Sequence, residues 1–466
     1  MTARDQRHPA TSCSQCRRLD RRVRQLEAEN RKLKELLEEA RRAGKRQAAP
    51  FSKGLPKRRP KKPGRKAGAA YGRRGSRPRP SRVDEVIEVP LPPACPECGE
   101  DVVETDVKPQ WQHEIPKIQA KVIQFNVHRG HCPRCRKTVQ GRHPRQTSDA
   151  LGAAANQIGP MALALAGQLN KEVGVPHGRI QKLFAQCFGL IIAKATIVRA
   201  VERIAERSEP LYENIVVDVR ASDSSTWDET GWRIGGDRAW LWVGAAVRAT
   251  VYRIRRSRGF DVPREVLGED YNRGLVADGW CIYDQFPNAL RQFCLQHPLH
   301  RSIELLETAT GAAVRFPRAV KEWIEDALNL RDRRDEGKIS PHGLDVAKGR
   351  LEARMDRLLR WRRADADNER FAAHLANHRG FLLNFLTNPQ LDATNWRGEQ
   401  ALRPAVITRK VSAGNRTDRG AHAQEVLCSI LRTCWQRGMD AVDLFARVLR
   451  CSTAPEVAKL AFTDTS

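Results

Sequence analysis

The segment from Arg41 to Arg82 constrains this chain more than any other. It holds 17 Lys or Arg residues and no Asp or Glu, with Pro and Gly scattered through it. Charges of one sign at that density repel, and too few apolar side chains are present to offset the entropy of ordering the backbone. The composition predicts a basic, disordered linker over 41–85, so any fold must be built on either side of it. Each cation that neutralises a phosphate releases a counterion, which gives affinity without sequence preference. Lys57, Arg58, Arg59, Lys61, Lys62, Arg65 and Lys66, the densest part, are therefore expected nucleic-acid contacts. The formal charge of +27 over all 466 residues points to a polyanionic partner in the same way.

Ahead of the linker, residues 1–40 carry a heptad. Leu19, Leu26 and Leu33 fall on one seam position and Val23, Asn30 and Leu37 on the other. β-Branched Val and a single Asn at a, with Leu at d, favour a parallel dimer in which the buried Asn fixes the register. The reading is a coiled-coil helix that makes the protein a homo-oligomer; the alternative is an amphipathic helix packing on its own chain. The longest apolar run, around Leu190 to Val198, is broken by Lys194 and is too short to span a bilayer. The opening residues, with Arg4, Asp5, Arg7 and His8, form no apolar signal region. A cytoplasmic protein with no membrane partner is expected.

Six of the twelve cysteines form three C-x-x-C pairs. Cys95-Pro96-Glu97-Cys98 and Cys132-Pro133-Arg134-Cys135 are separated by 33 residues. Two thiolates three apart can hold one Zn²⁺ from a tight turn, and a second such turn completes a tetrahedral site. Between them Lys117 to His128 alternates apolar and polar residues as a strand would. A structural Zn²⁺ ribbon over 86–145, ligated by Cys95, Cys98, Cys132 and Cys135, is expected. Cys13 and Cys16 have no second pair nearby and stay unassigned.

Residues 155–210 show helical spacing, either a plain hairpin or a DNA-binding helix-turn-helix broken at Phe188-Gly189-Leu190. A strand-rich block follows over 211–300. Ile215–Val219, Trp240–Val247, Thr250–Ile254 and Gly274–Asp278 read as its strands, the last ending in an acid. A helical insertion is expected over 301–390, and helices again over 391–466. An acid in a first strand, two hairpin strands, an acid ending a fourth strand and a distant Glu on a helix is the order of an RNase H-like nucleotidyl-transferase fold. The fold class is therefore multidomain with an α/β catalytic core.

The residues in that block resemble a known family. Asp228-Glu229-Thr230-Gly231-Trp232-Arg233 followed by Trp240-Leu241-Trp242-Val243 is similar to the first catalytic strand and hairpin of the insertion-sequence sixty-six family of DDE transposases. So are Ser257-Arg258-Gly259, Leu275-Val276-Ala277-Asp278-Gly279-Trp280 and Gln292-Phe293-Cys294-Leu295-Gln296-His297. Thr394 to Pro404, with Glu399 inside it, resembles the third acidic motif. Here the usual Asn pair reads Asn395-Trp396 and the usual Glu-Arg pair reads Glu399-Gln400. The resemblance covers nearly the whole chain in the right order.

That resemblance implies Asp228, Asp278 and Glu399 as a metal-binding triad for Mg²⁺ or Mn²⁺, with Cys294 and His297 in support. It implies cleavage and strand transfer at the ends of a mobile element, in a nucleoid-associated bacterial enzyme whose partners are element-end and target DNA. Asp218 or Asp223 is an alternative first acid, because Ser222 to Trp227 is polar for a central strand. Two other function classes compete: a catalytically decayed zinc-ribbon DNA-binding regulator, and an RNase H-like nuclease without strand transfer.

Overall fold

A mixed sheet of five strands organises the middle of the chain. In this computed structural model the described residues are 19, 22–30, 32–33, 36, 77–152, 156–361, 363 and 365–460. Strands β1 (Arg129–His131) and β2 (Thr138–Gln140) form a separate hairpin. The large sheet comprises β3 (Ser224–Ile234), β4 (Asp237–Ala245), β5 (Thr250–Arg255), β6 (Gly274–Ala277) and β7 (Leu290–Phe293). Their spatial order is β5-β4-β3-β6-β7. The first three run as an antiparallel meander, and β6 and β7 are added parallel to β3. Gly235 and Gly236 make the β3–β4 turn at φ 61° and 98°, a two-residue loop that demands positive φ at both positions.

Helices α1 (Pro160–Lys171), α2 (His177–Phe188) and α3 (Lys194–Arg207) precede the sheet, followed by α4 (Glu209–Ala221). Ile215–Val219 is thus helical, correcting the strand expected there. Pro210 stands in the first turn, and the buried Leu211, Tyr212, Ile215, Val216 and Val219 recur at helical spacing. The apolar run looks like a strand only when Leu211 and Tyr212 are left out. Helix α5 (Asp261–Leu267) lies between β5 and β6. Trp227, Trp242, Leu275 and Ala277 pack with α4 and α5 in one core.

After β7 come α6 (Gln296–Thr308), α7 (Arg315–Asp335), α8 (Pro341–Leu359), α9 (Ala366–Asn377) and α10 (Asn384–Thr387). Trp323, Ile324, Met355, Phe371 and Leu375 give these helices a core of their own, joined to the sheet through Val276, Phe293 and Leu295. The chain ends in α11 (Trp396–Ser412), α12 (Asp418–Gln436), α13 (Ala441–Arg450) and α14 (Ala454–Ala458).

Helix α12 closes the exposed edge of the sheet. Thr250, Tyr252 and Ile254 of β5 donate their backbone N–H groups to Thr433 Oγ1, Ser429 Oγ and Glu425 Oε1 at 3.2, 2.9 and 2.6 Å. Four helical residues rise about 6 Å and two strand residues about 6.6 Å, so one helix stripe can match alternate strand amides. A strand edge left open would template pairing with another chain.

Residues 22–30 are helical, and Leu19, Val23, Leu26 and Leu33 of the heptad are exposed. Leu37, Cys13, Cys16 and the basic residues Lys57 to Lys66 lie outside the described residues. Lys117–His128 forms no strand, which corrects the second strand expectation. Its alternation is present, but Ile118, Val122, Ile123 and Phe125 are exposed and Ala120 N–H bonds Phe188 O instead of a neighbouring strand. Among the described residues no helix is long and apolar enough to cross a membrane.

Candidate active site

Two adjacent parallel strands bring the first two acids together. The β3–β6 register pairs Ser224, Ser225 and Thr226 with Gly274, Leu275 and Val276. Carried on by two residues, it sets Asp278, just past the end of β6, beside Asp228. Side chains alternate along a strand, so Asp228 shares the face of Thr226, and Asp278 that of Val276. Backbone N–H groups orient both carboxylates: Glu229 donates to Asp228 Oδ1 at 2.8 Å, and Trp280 to Asp278 Oδ1 at 3.1 Å.

The third acid arrives on α11, whose Ala401, Leu402 and Ala405 pack on Trp232, Leu241 and Val243. Gly398 lets this helix approach. A Cβ there would stand 3.2 Å from Asp228 Cβ and 2.5 Å from Asn395 Oδ1. Glu399 is the next residue. Asp228, Asp278 and Glu399 are all half-buried.

The electrostatics carry the mark of that convergence. Burial, followed by the charges of Glu229, Asp278 and Glu399, raises the Asp228 carboxyl from its ordinary 3.8 to about 7. Glu229, on the opposite face of β3, is also raised, by burial, though Arg258 opposes the shift. Burial and the same acids push the Tyr283 phenol well above 10, and its hydroxyl has no partner. Asp218 is instead on α4, ion-paired to Arg437 at 2.6 Å, and Asp223 is exposed at the start of β3. The alternative first acids are thereby set aside.

Cys294 and His297 part company. The Cys294 thiol is buried and accepts from Asn395 N–H at 3.0 Å, so it fixes the residue from which α11 starts. Burial raises it to about 11, a protonated thiol. His297 lies exposed on the first turn of α6. Asn395 is 0% exposed, and neither Oδ1 nor Nδ2 has a hydrogen-bond partner. The sequence reading gave it no role, and only its place four residues before Glu399 hinted at one. Gly279, after the second acid, is boxed in by His374, His378 and Phe293, where a Cβ would approach within 2.6 to 2.7 Å.

The two C-x-x-C turns are copies of one geometry. Cys95 N–H bonds Glu100 O and Gly99 N–H bonds Cys95 O; Cys132 N–H bonds Lys137 O and Arg136 N–H bonds Cys132 O. Gly99 and Arg136, each four residues past its first cysteine, both take positive φ, 79° and 58°. Backbone N–H groups of Cys98 and Glu97 lower the Cys95 thiol, and those of Cys135 and Arg134 lower Cys132. The four thiols do not meet: among the described residues no group of three or more His, Cys, Asp or Glu is gathered to hold one metal ion. That statement covers Asp228, Asp278 and Glu399 too.

The core is thus a mixed α/β fold that carries Asp228 on β3, Asp278 just past β6 and Glu399 on α11. Residues 156–423 match the Transposase IS66 family, more than half of the chain, and the protein belongs to that family. It is also similar to the uncharacterized protein y4qI of Sinorhizobium fredii, 23% identical over 235 residues. That match spans 46% of this chain and 43% of the relative's length.

Proposed function

We propose that the chain is a DDE-type transposase that cleaves DNA at the ends of an insertion sequence and joins the freed 3′ ends to target DNA. The observation that carries this is the β3–β6 register that sets Asp278 beside Asp228, with Gly398 of α11 packed on Asp228 and Glu399 next to it, and with burial first and then the charges of Glu229, Asp278 and Glu399 raising Asp228 to about 7. The strand order β5-β4-β3-β6-β7, with Asp228 on β3 and Asp278 just past the end of the adjacent parallel β6, supports an RNase H-like reading of the core.

The residues fit a pair of divalent cations. The donors are hard carboxylate oxygens, the mutual repulsion of the acids is what a cation would relieve, and the orphaned Asn395 amide offers a further hard oxygen nearby. Asp228, Asp278 and Glu399 would hold the cations. Mg²⁺ or Mn²⁺ bound there supplies activation of the attacking oxygen and charge stabilisation at the leaving oxygen of the phosphodiester. The chain's own part is orientation. Two backbone N–H groups aim Asp228 and Asp278, and Cys294 fixes the start of α11.

The other assignments are part of the same proposal. Cys95, Cys98, Cys132 and Cys135 would ligate a structural Zn²⁺ that draws the two turns together; the matching turns and the lowered Cys95 and Cys132 thiols support it. The exposed Leu19, Val23, Leu26 and Leu33 seam supports self-association through the N-terminal helix. Lys57, Arg58, Arg59, Lys61, Lys62, Arg65 and Lys66 bind DNA phosphates.

The test is strand cleavage and transfer on DNA carrying the element's terminal repeats. Asp278→Asn keeps the shape and removes a charge, and should lower both activities by about a thousandfold or more with DNA affinity retained. Binding without cleavage by the parent protein would favour the regulator; Mg²⁺-dependent nicking without joining would favour the nuclease.

A further inference from the structure

We propose that Arg258 is a positioning residue for the second acid, clamping the indole of Trp280 whose backbone N–H holds Asp278. The inference rests on reading Asp278 as a cation-holding acid. The chain of contacts starts at Glu229, whose side chain is 4% exposed. Arg258 gives this carboxylate Nη2 at 2.8 Å and Nε at 3.2 Å. Its guanidinium lies 3.5 Å from the ring centre of Trp280 and 4.4 Å from that of Trp240. Trp280 also stacks on Trp242, with centroids 6.1 Å apart and planes 15° apart, and Trp242 Nε1 bonds Ser257 O in the same turn as Arg258. Trp280 N–H then donates to Asp278 Oδ1.

Each link has a physical reason. A nearly buried carboxylate needs a partner, and two charge-assisted bonds from Nε and Nη2 to the same oxygen, Oε1, restrict the guanidinium plane as well as its position. A fixed plane stacks on an indole, so the tryptophan next to the second acid cannot rotate freely. Asp278 sits just past the end of β6, and the Trp280 N–H is the hydrogen bond that orients its carboxylate. Lysine keeps the charge but has neither the fork nor the plane.

The experiment titrates Mn²⁺ into the full-length protein by calorimetry and records the thermal midpoint of each variant. Arg258→Lys should weaken Mn²⁺ about tenfold while the midpoint holds. Trp280→Ala, which leaves the Glu229–Arg258 pair intact, should do the same, and Trp280→Phe should restore binding. Asp278→Asn should abolish it. Parent-like Mn²⁺ affinity in both Arg258→Lys and Trp280→Ala, with Asp278→Asn dead, overturns the clamp and leaves the acid's role standing. Parent-like affinity in Asp278→Asn overturns the reading beneath it.

Discussion

Val122, between the two C-x-x-C turns, is 91% exposed, whereas Val243, near the middle of β4, is 0% exposed. The contrast extends well beyond one pair of valines. Val86, Val89, Val103, Val107 and Ile115 all present their side chains to solvent, while Trp227, Trp242, Tyr212 and Phe286 are fully buried. Burying an aliphatic or aromatic side chain contributes about 1.5–3 kcal/mol. Residues 156–460 draw on that source repeatedly, in four clusters. Residues 77–150 draw on it little, and what they have is two identical thiol-bearing turns. One region is held by its own apolar surface; the other must look to a different source of folding free energy, for which we propose metal.

Metal removal should therefore split the molecule. One Zn²⁺ per chain is expected in reduced protein, and Cys132→Ser or a chelator should render residues 77–150 protease-sensitive while the 156–460 core keeps its melting midpoint. Elemental analysis with limited proteolysis checks this. Full zinc content in Cys132→Ser would erase the contrast.

The next effect lies within the core and runs against its stability. Asp228 has a folded pKa of about 7, above its ordinary 3.8. The folded state thus holds the proton more tightly, and stability is lost as pH rises from about 4 to about 7. Asp228→Asn should stabilise the protein at pH 8 by ~2 kcal/mol, allowing for screening of a half-buried group, and make no difference near pH 4. Thermal melts at the two pH values decide it; an equal effect at both would assign the change to packing.

The smallest effect probes the covered edge. Ser429→Ala removes the acceptor for Tyr252 N–H and should cost ~1 kcal/mol, read by denaturant unfolding, with zinc content unchanged.

What the sequence disclosed follows the same division. The proposed acids Asp228, Asp278 and Glu399 could be named from the sequence because motif order survives in one dimension even when 121 residues separate the last two. The hairpin strands were legible from the apolar run Trp240 to Val247, of which Leu241 to Ala245 is buried in β4. The helix over Ile215–Val219 was not, because β-branched residues packed in a core override their own strand preference. The Lys117–His128 alternation misled for the opposite reason: a strand requires a partner, which alternation alone cannot supply. Arg258, Trp280 and Gly398 stood inside quoted motifs without a role, since stacking, a two-point ion pair and a close helix approach exist only once the sheet has formed.

We propose that the carboxylates of Asp228, Asp278 and Glu399 hold the divalent cations of strand cleavage. Anomalous diffraction from crystals soaked in Mn²⁺ checks this at the atoms concerned. Anomalous density bounded by those three carboxylates, and lost in Asp278→Asn, is expected. Ordered Mn²⁺ elsewhere, with those three acids turned to other partners, would contradict it.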